Sequence, residues 1–290
     1  MNYTISNDTL TAVISDTGAE IQSLSMDGHE YFWNGDPAFW AKHGPNLFPF
    51  VGRFTDGKYC LDGKTYEMEI HGFAPKSLFT VLDQSDSSIT FELKDNEKTL
   101  SQYPFHFSFR VTYTLMKNTM EVLYSVLNES GDTMYFGLGA HPGFMVPMED
   151  GLAFEDYYLE FSRPSRADQV EMSDTVFVTG HTHPYPLVDG TKIPLRHDLF
   201  DHDAVVLQNM PDTVAIRSDK GTRSVSVSYP GMPYIGFWHA VKKEAPYVCI
   251  EPWVTLPSRD GVIEDFANRS DLIRLQPGKV YENLWTVTLT

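Results

Sequence analysis

The sequence predicts an all-β fold, a large antiparallel β-sandwich with few short helices. Apolar residues alternate with polar ones in run after run, turn-forming pairs such as Asp62-Gly63 separate those runs, and helical periodicity is scarce. At 290 residues the chain has the length of one all-β domain spanning 1–290, and no Pro/Ser-rich linker, charge block or short repeat marks a boundary inside it. An apolar share of 42% supplies a sizeable core, while Gly 20 and Pro 18 suit many turns between many strands.

In chain order, Leu10 to Ile14 and Ile21 to Met26 alternate around the turn residues Asp16-Thr17-Gly18, which opens the fold as a meander. Asp36-Pro37-Ala38-Phe39-Trp40 reads as an N-cap followed by proline, a single short helical turn whose aromatics pack. Lys58 to Tyr66 is a hairpin around Asp62-Gly63. Phe107 to Met116 and Thr119 to Asn128 form a second, longer hairpin, with Val111, Tyr113 and Leu115 matched to Val122, Tyr124 and Val126. Met134 to Leu138 is one more strand, and others follow at Val214 to Arg217, Ser224 to Tyr229, Tyr234 to His239, Tyr247 to Glu251 and Val280 to Leu289. Only Val262 to Leu272 and Pro194 to Phe200 have the pattern for a few helical turns.

The formal charge of −17, from 22 basic and 39 acidic residues, repels phosphate backbones and anionic lipid headgroups. Neither nucleic acid nor a membrane is therefore an expected partner, and a neutral small molecule is. Cys60 and Cys249 lie far apart beside strand-like residues and read as reduced core thiols. No basic segment followed by a long apolar one opens the chain, and no run approaches the ~20 apolar residues that span a bilayer, so the expected location is cytoplasmic. Pairing with a second copy as a homodimer stays open.

Four stretches place polar residues among aromatics and glycines: Asn46 to Arg53, His71-Gly72-Phe73, Gly137 to Phe144, and Tyr247 to Trp253. In the third, an apolar run stops and Pro142 ends ladder pairing, so a strand end presents the His141 imidazole as a proton donor. In the fourth, Glu251 follows directly on a core strand, with Trp253 available to stack on a ligand. Each has an ordinary alternative: His141 as a turn residue satisfying backbone groups, and Glu251 as the ion-pair partner of Arg53 at a sheet edge.

These four elements, in this order, resemble the aldose 1-epimerase (galactose mutarotase-like) family, and most of all its branch of LacX-type proteins of lactose operons. The resemblance runs from the first meander to Val280-Tyr281-Glu282-Asn283. It implies a large antiparallel sandwich holding a sugar, with no metal and no cofactor. By the same resemblance His141 is the general acid, Glu251 the general base, and Arg53 and His71 hold the sugar. An aspartate contacting hydroxyls falls on Asp201 or Asp203, between which the sequence does not choose.

The chemistry fits the residue types. Exchanging anomers requires taking the proton from the C1 hydroxyl and giving one to the ring oxygen, work for a carboxylate and an imidazolium with an unperturbed pKa of about 6.5. Trp253, Phe73 and Phe144 supply apolar faces for a pyranose ring. Ala74-Pro75-Lys76 follows His-Gly-Phe where the LacX-like branch and hexose-6-phosphate epimerases usually include an arginine, which favours a neutral aldose over a sugar phosphate, with Lys76 as the looser substitute. Two rivals remain: a non-catalytic carbohydrate-binding protein, and a glycoside hydrolase if Asp201 or Asp203 faces Glu251 across a cleft. His181-Thr182-His183 lacks a third ligand nearby and reads as a polar loop.

Overall fold

The long hairpin forms in the expected register, Val111 opposite Tyr124 and Tyr113 opposite Val122, in a computed structural model that describes residues 1–290. Those side chains are buried while their alternates reach the surface, which is what period-two patterning dictates for a sheet covered on one face. The hairpin lies in a nine-stranded antiparallel sheet that runs from Lys192–Pro194 at one edge to Thr80–Gln84 at the other, with Val280–Leu289 beside Thr119–Asn128.

A second, eight-stranded antiparallel sheet carries Val178–Tyr185, Ala167–Met172, Val205–Gln208, Tyr234–Trp238, Tyr247–Trp253, Gly139–Ala140 and Asn46–Leu47 in that order, with Gly143–Met145 also paired to Tyr247–Trp253. One cluster of 66 buried side chains takes Val122, Tyr124 and Trp285 from the first sheet and Leu207, Phe237, Val248 and Ile250 from the second. Two sheets sharing one core in this way make a β-sandwich. A four-stranded meander from Asn2–Ser6 to His29–Glu30 flanks it.

Tyr247–Trp253 is the strand that positions the site, and all seven of its residues are buried. Val248 and Ile250 point into the main core, whereas Tyr247, Cys249 and Trp253 pack on the opposite face, with Glu251 between the last two. Asn46 ties the neighbouring segment down. Its Nδ2 donates to the carbonyls of Gly18 and Ala19 at 3.0 and 2.9 Å, and its Oδ1 accepts from the Tyr124 hydroxyl at 2.7 Å.

The structure differs from the sequence expectation at several elements. Val262 to Leu272 is not helical: Glu264–Asp265 pairs in parallel with Lys58–Leu61, and turns follow. Its polar side chains take the backbone instead, Asp265 Oδ1 accepting from the Ala267 N–H at 3.0 Å and Arg269 Nη2 donating to the Leu256 and Pro257 carbonyls. The one α-helix is Glu97–Gln102, capped by Asn96, whose side chain accepts from the Lys98 and Thr99 N–H groups. Within Pro194 to Phe200, only His197–Phe200 forms a 3₁₀ turn. The strand expected over Met134 to Leu138 stops at Phe136.

Candidate active site

His141 reaches Glu251 because the backbone around it is anchored on both sides. The His141 N–H donates to the Pro45 carbonyl at 3.1 Å, and the Ile250 N–H donates to the Pro142 carbonyl at 3.1 Å. Gly139 lies opposite Trp253, where a Cβ would sit 2.9 Å from Trp253 Cδ1, so only glycine lets this short strand come so close. His141 Nε2 then stands 3.2 Å from Glu251 Oε2. Trp40 stacks on the imidazole at 4.8 Å between centroids, and Trp238 meets it edge-on at 5.6 Å.

Glu251 therefore makes its ion pair with His141 and none with Arg53. Oε1 of Glu251 and Nδ1 of His141 are buried without a hydrogen-bond partner.

His71 enters from the Arg53 side. It has φ +65, and Gly72 after it has φ +73, where a Cβ would meet the Phe48 carbonyl oxygen at 2.3 Å. The Gly52 N–H donates to His71 Nδ1 at 3.1 Å, which leaves the proton of the neutral ring on Nε2. The His71 and His141 rings meet edge to face at 5.6 Å. Around them is a cavity of about 360 Å³, with Arg53, His71, His141, Asp203 and Glu251 on its polar side and Trp40, Trp238 and Trp253 among its apolar walls. That volume is in the range of small-ligand sites. His71, Val176 and Asp203, with φ of 65, 65 and 86, all line it. At a β-branched residue such as Val176 this backbone is strained.

The electrostatics suit proton transfer. Burial, and then the Asp203 charge, push the Glu251 carboxyl well above the usual carboxylate range, with the Trp253 indole opposing more weakly. Burial, and then His71, hold the His141 imidazole well below its ordinary value. Burial and the Arg53 guanidinium bring His71 down to about 4, so it stays a neutral donor at physiological pH. Charge is disfavoured on either partner alone, and a single proton shared across the 3.2 Å contact leaves the pair neutral overall.

Not every residue singled out from the sequence reaches the cavity. Phe144 is fully buried and packs edge-on against Phe32, because alternation along Gly143–Met145 turns it into the core. Phe73 is likewise in the core, stacked on Phe107 at 5.7 Å. Neither is available to a sugar ring. Of the two aspartates, Asp203 lines the cavity; Asp201 caps the His197–Phe200 turn and lies outside it. Lys76 is also outside, ion-paired with Glu69. His183 pairs with Glu171 on an exposed strand. The donor set with metal-like proximity is instead His141, Cys249 and Glu251, whose ligand atoms all lie within 4.8 Å of one another.

A family model for aldose 1-epimerase matches residues 1–287. The chain belongs to the aldose 1-epimerase family. As an aldose 1-epimerase family member it is 29% identical over 291 residues to the plasmid-encoded LacX protein of Lactococcus lactis, covering 96% of this chain and 97% of that one. Its structure is similar to that of a galactose mutarotase related enzyme from Lactobacillus acidophilus, with TM-score 0.95 and 38% identity over 100% of this chain and 97% of the other. A galactose mutarotase-like protein from Lactobacillus casei superposes with TM-score 0.94 at 34% identity, each chain covered in full. Family membership makes the chain an isomerase acting on a sugar.

Sequence reasoning missed several residues of this epimerase-family cavity. Trp40 was expected to serve packing, yet it covers the His141 ring. Trp238 ends the Tyr234–Trp238 strand opposite Cys249, and its position beside Glu251 appears only once that pairing is known. Ile70, Met172, Val176 and Ala204 add apolar lining from three separate segments, which no local pattern connects.

Proposed function

We propose that this chain interconverts the α and β anomers of a neutral aldose, acting as one catalytic unit. The observation that carries the reading is the 3.2 Å contact between His141 Nε2 and Glu251 Oε2, open to a cavity of sugar size. In the ring-opening step Glu251 takes the C1 hydroxyl proton while His141 Nε2–H gives one to the ring oxygen. The C1–O bond to the ring breaks, C1 becomes an aldehyde, and the ring oxygen becomes a hydroxyl. Rotation about C1–C2 and the reverse transfers close the other anomer. The pair begins as carboxylate and imidazolium and ends as carboxylic acid and imidazole, so its total charge is zero throughout, and burial of both groups favours the acid–imidazole form that the ring-opening step produces.

The His71 Nε2–H and the Arg53 guanidinium are donors for sugar oxygens, and Asp203 is an acceptor for hydroxyl protons. Trp40, Trp238 and Trp253 offer the apolar faces that Phe73 and Phe144 do not. A phosphate finds little support: Lys76 is bound to Glu69 outside the cavity, and Arg53 is the single cationic side chain lining it. Anomer exchange followed by polarimetry or NMR should therefore be faster with free aldoses than with their 6-phosphates. A clear preference for a 6-phosphate, weakened by Arg53→Ala, would reverse the substrate assignment.

One observation favours a second reading. Asp203 shares the cavity with Glu251 and is near enough to raise its carboxyl, so two carboxylates face one ligand space, as glycoside hydrolysis requires. Release of nitrophenol from nitrophenyl glycosides, lost in both Asp203→Asn and Glu251→Gln, would establish that reading.

A further inference from the structure

Cys249 is the one chemically reactive side chain beside the acid–base pair that anomer exchange does not use. It follows the same alternation as Glu251, two positions earlier on the Tyr247–Trp253 strand, so its thiol is presented on the same face. His141 arrives from the adjoining Gly139–Ala140 and Gly143–Met145 segments, both paired with that strand. All three residues are buried, and one nitrogen, one sulfur and one carboxylate oxygen come within 4.8 Å of one another.

We propose that His141, Cys249 and Glu251 form a binding site for a thiophilic divalent cation, zinc or cadmium, seated directly on the acid–base pair. Sulfur, imidazole nitrogen and carboxylate oxygen are together a zinc donor set, and the thiolate selects against magnesium and calcium. The geometry is close to what the ion needs. Bonds near 2.0 Å in a tetrahedron hold nitrogen and oxygen ligands roughly 3.3 Å apart, and His141 Nε2 is already 3.2 Å from Glu251 Oε2. In a tetrahedron a sulfur ligand stands roughly 3.5 Å from nitrogen and oxygen ligands, so from a separation of at most 4.8 Å the thiol closes by about 1.3 Å or less, and the fourth position is left for water.

Binding places the donors as thiolate, neutral imidazole and carboxylate. The thiol proton and the proton shared by the pair leave to solvent, so binding tightens as pH rises. The ion is a blocker here and not a cofactor: it occupies both groups that move protons. That consequence rests on the proposed function, whereas the site itself does not.

Cys60 is a second free thiol, partly exposed, and must first be removed. In the Cys60→Ser protein, cadmium titration should give one ion per chain with an ultraviolet sulfur-to-cadmium charge-transfer band, and zinc should displace it. Zinc should also suppress anomer exchange, with recovery on chelation. Introducing Cys249→Ser should abolish the band and raise the inhibitory zinc concentration at least tenfold, each protein being scored against its own metal-free rate. X-ray absorption at the zinc edge of the Cys60→Ser protein needs no further variant and should find one sulfur at about 2.3 Å. Absence of a stoichiometric band, a zinc shell without sulfur, or unchanged zinc sensitivity in Cys249→Ser would overturn the proposal. A band without inhibition would uphold the site and remove the catalytic assignment of the pair.

Discussion

Gly52 and His71 hold each other through two hydrogen bonds: the His71 N–H donates to the Gly52 carbonyl at 2.8 Å, and the Gly52 N–H donates to His71 Nδ1 at 3.1 Å. The imidazole is thereby fixed in both position and tautomer, with its one ring proton directed away from Gly52. Asparagine tolerates the left-handed backbone at φ +65 and its Oδ1 can accept from Gly52, but it carries no group at the position of Nε2. His71→Asn should therefore melt within a few degrees of the parent and lose about tenfold or more in kcat/KM, mainly through KM, as one hydrogen bond to the sugar disappears. A folded His71→Asn protein with unchanged KM would show that His71 is a scaffold residue only.

Under the proposed mechanism Glu251→Gln preserves shape and removes the base, and His141→Asn removes the acid. Each should lower kcat by about 10²–10⁴ while sugar binding largely persists, and the double variant should lose far less than the product of the two, because the residues transfer one proton set together. Saturation transfer NMR against a panel of aldoses measures binding separately from turnover. Near-normal exchange in both folded single variants would leave a carbohydrate-binding protein as the better description.

The pH profile follows from the shared proton. Adding a second proton to the pair means charging an imidazole that burial holds well below 6.5, and removing the only one means ionising a carboxyl that burial holds well above 4.5. Activity needs the singly protonated pair, so kcat/KM should fall on the acid side only below pH 6.5 and on the alkaline side only well above the carboxylate range. His71 charges near 4 and would further oppose imidazolium formation at that end. An acid limb centred at the ordinary histidine value would mean that the cavity does not shield His141 as the structure requires.

Where side-chain alternation and turn chemistry decide the backbone, the sequence was legible. The hairpins at Asp62-Gly63 and Lys117-Asn118 form with Asp62, Gly63 and Lys117 at positive φ, as tight two-residue connections demand. Glu251 and His141 were recognisable because each interrupts a core strand with a titratable group. The walls of the cavity were not legible, since Trp238 and Met172 meet only through the eight-stranded sheet and Trp40 joins them from a turn outside it. Phe73 and Phe144 were misplaced for a related reason: adjacency to a site histidine does not fix which face of the chain a side chain takes. The Glu97–Gln102 helix had a visible signal in Asn96 followed by Glu97, but its six residues are too few for periodicity to register.

Val176 carries the last prediction. It closes the turn between Ala167–Met172 and Val178–Tyr185, with its N–H donating to the Ser173 carbonyl at 2.8 Å, and its φ is +65. A β-branched residue in the left-handed region is strained by roughly 1–3 kcal/mol, and this one lines the cavity around His141 and Glu251. Asparagine accepts that backbone at little strain. Val176→Asn should therefore stabilise the fold by about 1 kcal/mol, seen as a higher urea midpoint with an unchanged m-value. The same change replaces an apolar wall with an amide, so KM for the preferred aldose should rise severalfold while kcat changes little. If Val176→Asn instead lowers the midpoint, the packing of the isopropyl group outweighs the backbone strain. If it raises the midpoint but leaves KM alone for every aldose tested, Val176 bounds empty space and not a bound sugar.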